Sequence, residues 1–365
     1  MNNRYLKIIQ ASILLFAAVL VIYVFTKLGE TNSYENETQP AETVVSKLDN
    51  PEKLTGENIE NLDNILAKVK EEETYDPSKL ISSDNQRADL DIANGTGKQV
   101  SEVAADSDSD NDYESSYEFS AAIYPYRAML SEDEALDYDQ IYEAITKLET
   151  SVTLVNSVTI SSIKNIMIAV FSDHPELFYI NTNYTYCYTS SGKVLSVELE
   201  YNTTASSLQT SRTKFLKAAA EIINEASALK TDLEKEQYVY EQLQKNCSYV
   251  NDSEMNQSAY SALVNKESVC AGYARAFQYI LIQLNIPCYF CSGYVGTGNH
   301  AWNIVYINGE YYNVDLSWDD ALGEVTGAYS YTYFNISDTA IGLDHSRRDL
   351  SVKLPECKTS LTQSE

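Results

Sequence analysis

A cysteine, a histidine and an aspartate in the C-terminal half of this chain have the types and order that nucleophilic catalysis needs. Cys270 stands in Ser268-Val269-Cys270-Ala271-Gly272-Tyr273-Ala274-Arg275-Ala276-Phe277. From Tyr273 onward apolar residues recur at 273, 277, 280, 281 and 284, one face of an amphipathic helix. Cys270 then lies in the first helical turn, on the inward side. Unpaired N–H groups and the positive end of the helix dipole favour thiolate over thiol there, and the thiolate is the nucleophile. A free cysteine is more often a small core hydrophobe, so the reading depends on a base elsewhere in the chain.

A hairpin supplies that base. Residues 300–307 read as a strand, Asn308-Gly309 is the strongest short hairpin signal, and 310–318 read as the return strand. A two-residue loop pairs Ile307 with Glu310, so Trp302 faces Asp315 and His300 faces Ser317. His300 and Asp315 become diagonal neighbours on one face, ~7–8 Å apart at the backbone. Asp315 can accept from one ring nitrogen and leave the other to take a proton. The set is Cys270 as nucleophile, His300 as general base and acid, and Asp315 as the group that orients His300. A slip of one residue would put His300 and Asp315 on opposite faces.

The chain holds only three histidines, so the rivals are few. His174 follows a helix and precedes Pro175, which reads as structural. His345 lies in Asp344-His345-Ser346-Arg347-Arg348, on no recognisable strand and beside two arginines, and ranks behind His300 as a base. Cys288-Tyr289-Phe290-Cys291 is a C-x-x-C on a strand, where positions three apart face opposite ways, so core positions are expected and not a zinc site. Cys187 with Cys247 is one conceivable disulfide. No metal and no cofactor is called for. For the oxyanion the backbone N–H of Cys270 is one natural donor, with Gln244, Asn246 and Gln257 left open as the second.

The elements around these residues mix helices and strands. Helices are expected over 138–148, 160–171, 206–228 and 231–247, and a hairpin over 184–188 and 194–201 turning at 190–193. Ile286-Pro287 ends the Cys270 helix, and 288–295 read as a strand. The fold class is α+β.

Ser258-Ala259-Tyr260-Ser261-Ala262-Leu263, the Cys270 block, Gly293-Tyr294, His300-Ala301-Trp302-Asn303 and Tyr312-Asn313-Val314-Asp315-Leu316-Ser317-Trp318-Asp319-Asp320 together resemble the core of the transglutaminase-like superfamily, in its bacterial, membrane-associated branch. Asp173-His174-Pro175-Glu176-Leu177-Phe178-Tyr179 is similar to the segment that precedes this core. The resemblance covers about residues 229–340. It implies a papain-like core and carries the three roles onto Cys270, His300 and Asp315. It also implies acyl transfer through a thioester, with water or an amine as acceptor and protein or peptide amides as substrates. Members without activity also occur, so an inactive module that grips envelope peptides or a partner protein is the alternative.

The N-terminal third reads differently. Arg4 and Lys7 precede an apolar run over 8–25, long enough with its borders to span a bilayer. Residues 1–30 are expected to be an uncleaved signal anchor, single-pass, with the rest of the chain extracytoplasmic, a cleaved signal peptide being the alternative. Residues 31–116 read as a disordered acidic spacer, since 101–118 carry seven acidic residues and no Lys or Arg. Residues 117–228 form a lead-in domain, 229–340 the core, and 341–365 a polar tail. A net charge of −27 argues against nucleic acid as a partner. The expected partners are a membrane, through the first helix, and an amide substrate associated with the cell wall.

Overall fold

A computed structural model describes residues 92–100 and 113–361. The expected anchor over 1–30 and most of the expected spacer over 31–116 lie outside the described residues. Among the described residues no helix is long and apolar enough to cross a membrane.

In chain order the main elements are β1 (Asn94–Gln99), α1 (Glu132–Thr146), β2 (Ser151–Thr159), α2 (Ile160–Asp173), β3 (Ile180–Tyr188) and β4 (Lys193–Tyr201). Then come α3 (Leu208–Ser227), α4 (Asp232–Asn246), β5 (Ser248–Tyr249), β6 (Glu267–Ser268) and α5 (Cys270–Gln283). β7 (Cys288–Val295), β8 (Gly298–Ile307), β9 (Glu310–Val314), α6 (Leu316–Thr326) and β10 (His345–Arg347) complete them. Local chemistry explains several starts. Ser131 and Thr231 each form a capping box, with Glu134 and Glu234 returning a carboxylate to the cap N–H.

One sheet has the order β1-β3-β4-β2 and the other β10-β7-β8-β9. The β3–β4 and β8–β9 hairpins match the sequence expectation. In the second, Ile307 pairs with Glu310 and the register runs on to Asn303 opposite Val314. A single continuous hydrophobic core runs through residues of both the lead-in (117–228) and the core region (229–340).

Four expectations need correction. Residues 94–99, within the expected spacer, form a strand parallel to β3, from Asn94 opposite Asn183 to Gln99 opposite Tyr188. Their Gly-Thr-Gly-Lys sequence has no apolar alternation; they pair on the open edge of β3, where the Tyr184 and Tyr186 rings lie over Gly95 and Gly97. The helix of Cys270 is not amphipathic in place: every residue from Cys270 to Gln283 is buried. Its polar positions dock onto the lead-in. Arg275 donates to the carbonyls of Gln257 (2.7 Å) and Phe171, and Gln278 donates to the carbonyl of Ser172 at 2.9 Å. The Phe171 and Ser172 carbonyls lie in the last turn of α2, where positive charge is favoured. The helix also packs on β7 and β8, and Phe277, Ile280 and Leu281 are fully buried, each worth about 1.5–3 kcal/mol.

The third correction is the return strand, which stops at Val314 instead of running to 318. Asp315 caps the following helix by accepting the Trp318 N–H at 3.1 Å. The fourth concerns 341–365. Residues 345–347 form β10 on β7, Cys357 is buried, and Leu361 N–H bonds to the Asn335 carbonyl at 2.8 Å. That part is not a loose tail. Its pairing depends on Gly293, because a Cβ there would sit 2.0 Å from the backbone oxygen of Ser346.

Candidate active site

Cys270 is the first residue of α5, and no side chain caps that helix end. The preceding residues place it: β6 pairs in parallel with β5, Tyr249 lying opposite Ser268. The carbonyl of Asn256 accepts the Val269 N–H at 3.0 Å and the Ser268 hydroxyl at 2.7 Å. Gly272 lets this loop close on the first turn, since a Cβ there would fall 1.9 Å from Ser268 Oγ and 2.7 Å from the Asn256 carbonyl.

His300 lies on β8, buried, with its ring within hydrogen-bond reach of the Cys270 thiol. Its Nε2 is 2.5 Å from Asp315 Oδ2, leaving Nδ1 as the nitrogen open to Cys270. Asp315 is buried and fully engaged. Oδ1 accepts the Ser317 hydroxyl (2.9 Å) and the Trp318 N–H, and Oδ2 accepts from His300. The three residues picked from sequence are therefore brought together.

The electrostatics follow from burial and charge. Burial alone would lower the His300 pKa, but the charges of Asp315 and Cys270 and their hydrogen bonds overcome it and raise it to about 10. Burial pushes the Asp315 carboxyl up, yet His300 and His345 hold it well below the usual carboxylate range. Asp319, one turn into α6, accepts from Tyr240 and Ser330 hydroxyls and from the N–H groups of Thr332 and Tyr333. It ties down the loop whose Tyr333 carbonyl receives the Asp315 N–H.

Comparison with known families bears on this stretch. Residues 218–316 match the family model of the transglutaminase-like superfamily. They form a transglutaminase-like domain. The match takes in Cys270, His300 and Asp315, and starts inside α3. Solved structures similar to the chain include a protein of Cytophaga hutchinsonii assigned as a cysteine protease (21% identity, TM-score 0.25, covering 30% of this chain and 38% of that one). A TGase (10% identity, TM-score 0.26, 46% and 50%) and a protein of Parabacteroides distasonis assigned as a protease (15%, 0.28, 46% and 34%) are also similar. The chain thus spans half or less of the length of those structures. None of the curated proteins matches it.

Two further side chains stand beside these three residues, and the sequence placed neither of them there. His345, ranked there as a distant rival base, is on β10 with its Nε2 3.0 Å from the same Asp315 Oδ2. Its Nδ1 is bonded to Asp344. Tyr249 places its hydroxyl against Cys270, bonded to both the thiol and the backbone N–H. Burial, and then the Cys270 charge, raise its pKa. Neither lies in a patterned segment: β5 has two residues and β10 three, too short to show a period.

The other candidates are engaged elsewhere. His174 packs against the Tyr142 ring and bonds Glu176 (2.6 Å) and Tyr138 (2.7 Å), in a buried cluster with Asp173. Gln244 exchanges hydrogen bonds with the backbone of Ser330, and Asn246 donates to the Gln242 carbonyl. All six cysteines are free, so the Cys187–Cys247 pair is not formed, and Cys288 and Cys291 are core residues. The ligand-type atoms of His300, Asp315 and His345 lie within 4.8 Å of one another. Two Nε2 atoms at 2.5 and 3.0 Å from one carboxylate oxygen form hydrogen-bond geometry.

Proposed function

We propose that the transglutaminase-like domain carries out thiol-dependent acyl transfer or hydrolysis on protein or peptide amides, with Cys270 as nucleophile. The observation that carries this reading is the continuous bonded row of Cys270, His300 and Asp315 at the head of a buried helix. His300 Nδ1 takes the thiol proton while Nε2–H is held by Asp315, giving a thiolate and an imidazolium. The thiolate adds to the amide carbonyl. The backbone N–H of Cys270, at the positive end of α5, faces the oxygen that becomes negative. His300 then donates its proton to the departing amine, the C–N bond breaks, and a thioester to Cys270 remains. Water or an amine attacks the thioester, His300 again accepting the proton, and Cys270 is released.

In the free protein Tyr249 hydroxyl accepts that same Cys270 N–H. The phenol therefore swings aside when a carbonyl oxygen enters. Tyr249 is 40% exposed at the mouth of the site, so this motion disturbs little of the core.

The apolar run over 8–25 and the acidic stretch that follows support a location at the outer face of a cell membrane, with a cell-wall-associated peptide or protein as substrate. The test is thioester trapping. The full chain is incubated with casein or with cell-wall stem peptides in the presence of hydroxylamine, and hydroxamate product is read by mass spectrometry. Product from the natural chain and none from Cys270→Ala is expected. No hydroxamate and no amide cleavage with any of these, together with ordinary thiol reactivity at Cys270, would leave a peptide-binding module as the function.

A further inference from the structure

The site contains a charged group that the three-residue mechanism does not use. His345 has no exposed side-chain surface, and both of its ring nitrogens face carboxylate oxygens: Nδ1 faces Asp344 and Nε2 faces Asp315. An ionised carboxylate only accepts hydrogen bonds, and a neutral imidazole has a single N–H. A neutral His345 would set a bare nitrogen against an oxygen lone pair with no water to intervene. Protonation at both nitrogens satisfies both contacts. Asp344 is fixed as an acceptor from its other side, where the Tyr333 hydroxyl donates to Oδ2 at 2.7 Å.

We propose that His345 is a doubly protonated positioning residue that acts through Asp315. It holds that carboxylate toward His300 and, by sharing its charge, keeps His300 acidic enough to return a proton to a leaving amine. This rests on the acyl-transfer reading above and adds to it a device that sets the basicity of His300.

The row Asp344, His345, Asp315, His300, Cys270 alternates in sign when the thiolate and imidazolium form. Asp315 Oδ2 lies between two imidazolium Nε2–H groups, at 2.5 Å from His300 and 3.0 Å from His345. A carboxylate that serves two cations stabilises each less than it would one. The two rings also repel as like charges, with centroids 5.1 Å apart. Consistent with this, burial lowers the His345 pKa, Asp315 and Asp344 more than restore it, and the His300 charge lowers it again.

The other groups packed on His345 leave this balance alone. Trp302, Trp318 and Tyr333 present rings. On its own strand, Arg347 is directed to Asp338 and the carbonyls of Leu354 and Pro355, and Arg348, just beyond the strand, to Asn299 and Asp349.

The chain has three histidines, so 15N-histidine labelling yields three ring-nitrogen pairs, assigned with His300→Gln and His345→Gln. Spectra of the full chain are recorded against pH with Cys270 capped by iodoacetamide, so that His300 is read without the thiolate. Both His345 nitrogens are expected at protonated shifts through neutral pH. In His345→Gln, whose amide N–H still reaches Asp315, the His300 midpoint is expected to rise by about one pH unit. A purely structural role would not move that midpoint upward.

A His345 with one protonated nitrogen at neutral pH overturns the proposal, as does a His300 midpoint that stays or falls in the variant. If the variant does not fold, the protonation state of His345 in the natural chain decides alone. Ordinary thiol reactivity of uncapped Cys270 would sink the acyl-transfer reading instead, and is measured separately.

Discussion

Replacing Asp315 by asparagine tests the centre of the site with little change in volume. The amide oxygen can take over Oδ1, which accepts from Ser317 and the Trp318 N–H and starts α6. The amide nitrogen then falls at Oδ2, facing two imidazole Nε2 atoms that both donate to it in the natural chain. His300 loses its anionic partner and turns to the tautomer with Nε2 bare and Nδ1 protonated, so it no longer accepts from Cys270.

The size of the loss follows from the shift. The rise of the His300 pKa from 6.5 to about 10 corresponds to roughly 5 kcal/mol at ~1.4 kcal/mol per unit. Asp315 and Cys270 supply it against the opposing effect of burial. An adjacent opposite charge shifts a pKa by ~1–3 units, so losing Asp315 should lower the population of the thiolate–imidazolium pair by roughly 50-fold, within that range.

The assay is second-order alkylation of Cys270 by iodoacetamide against pH. At about pH 6 the variant should react roughly 50-fold more slowly than the natural chain. Above the ordinary thiol pKa of ~8.5 the thiolate forms without His300, and the two rates should converge. A ratio that is constant across pH would refute the reasoning, because it would mean that Asp315 shapes access to Cys270 and not the proton on His300.

Two further outcomes follow from the packing. Gly293→Ala puts a Cβ on the Ser346 carbonyl and should push β10 off β7, destabilising the fold by about 2–3 kcal/mol in urea unfolding and displacing His345 from Asp315. A variant as stable as the natural chain would show that β10 does not need that contact. Glu236 is buried, accepts from Asn335 at 2.8 Å, and burial pushes its pKa up to about 8. The folded chain keeps a proton that the unfolded chain releases near pH ~4.3, so this stabilisation is present below that pH and is lost as pH rises through about 8. Glu236→Gln removes the dependence and should gain about 3 kcal/mol over the natural chain at pH ~8 while gaining little at pH ~5. An equal gain at both, read by thermal unfolding, would contradict it.

The sequence by itself determined the parts of the site that depend on short-range pairing. Asn308-Gly309 set the register of β8 on β9 as far as Asn303 opposite Val314, and Asp315 follows directly as the cap of α6 beside His300. The run from Tyr273 carried a helical period, because that signal is local, whereas the capping box at Ser131, which starts its helix at Glu132, was not read from the sequence. Asp315 was legible as a partner of His300 but not as a helix cap, since a strand ending and a strand continuing look alike until the next element is packed.

Only the tertiary structure decided what surrounds Cys270. α5 is buried on all sides because the end of α2, about a hundred residues earlier, covers its polar positions through Phe171 and Ser172 carbonyls. His345 joins the row because β10 adds to the free edge of β7 opposite Gly293, a pairing made by backbone groups and by the lack of one Cβ. Tyr249 reaches the thiol through a two-residue parallel pair. Such contacts leave no period in the chain, so a buried imidazole bridging two carboxylates read in sequence as a histidine in a polar tail.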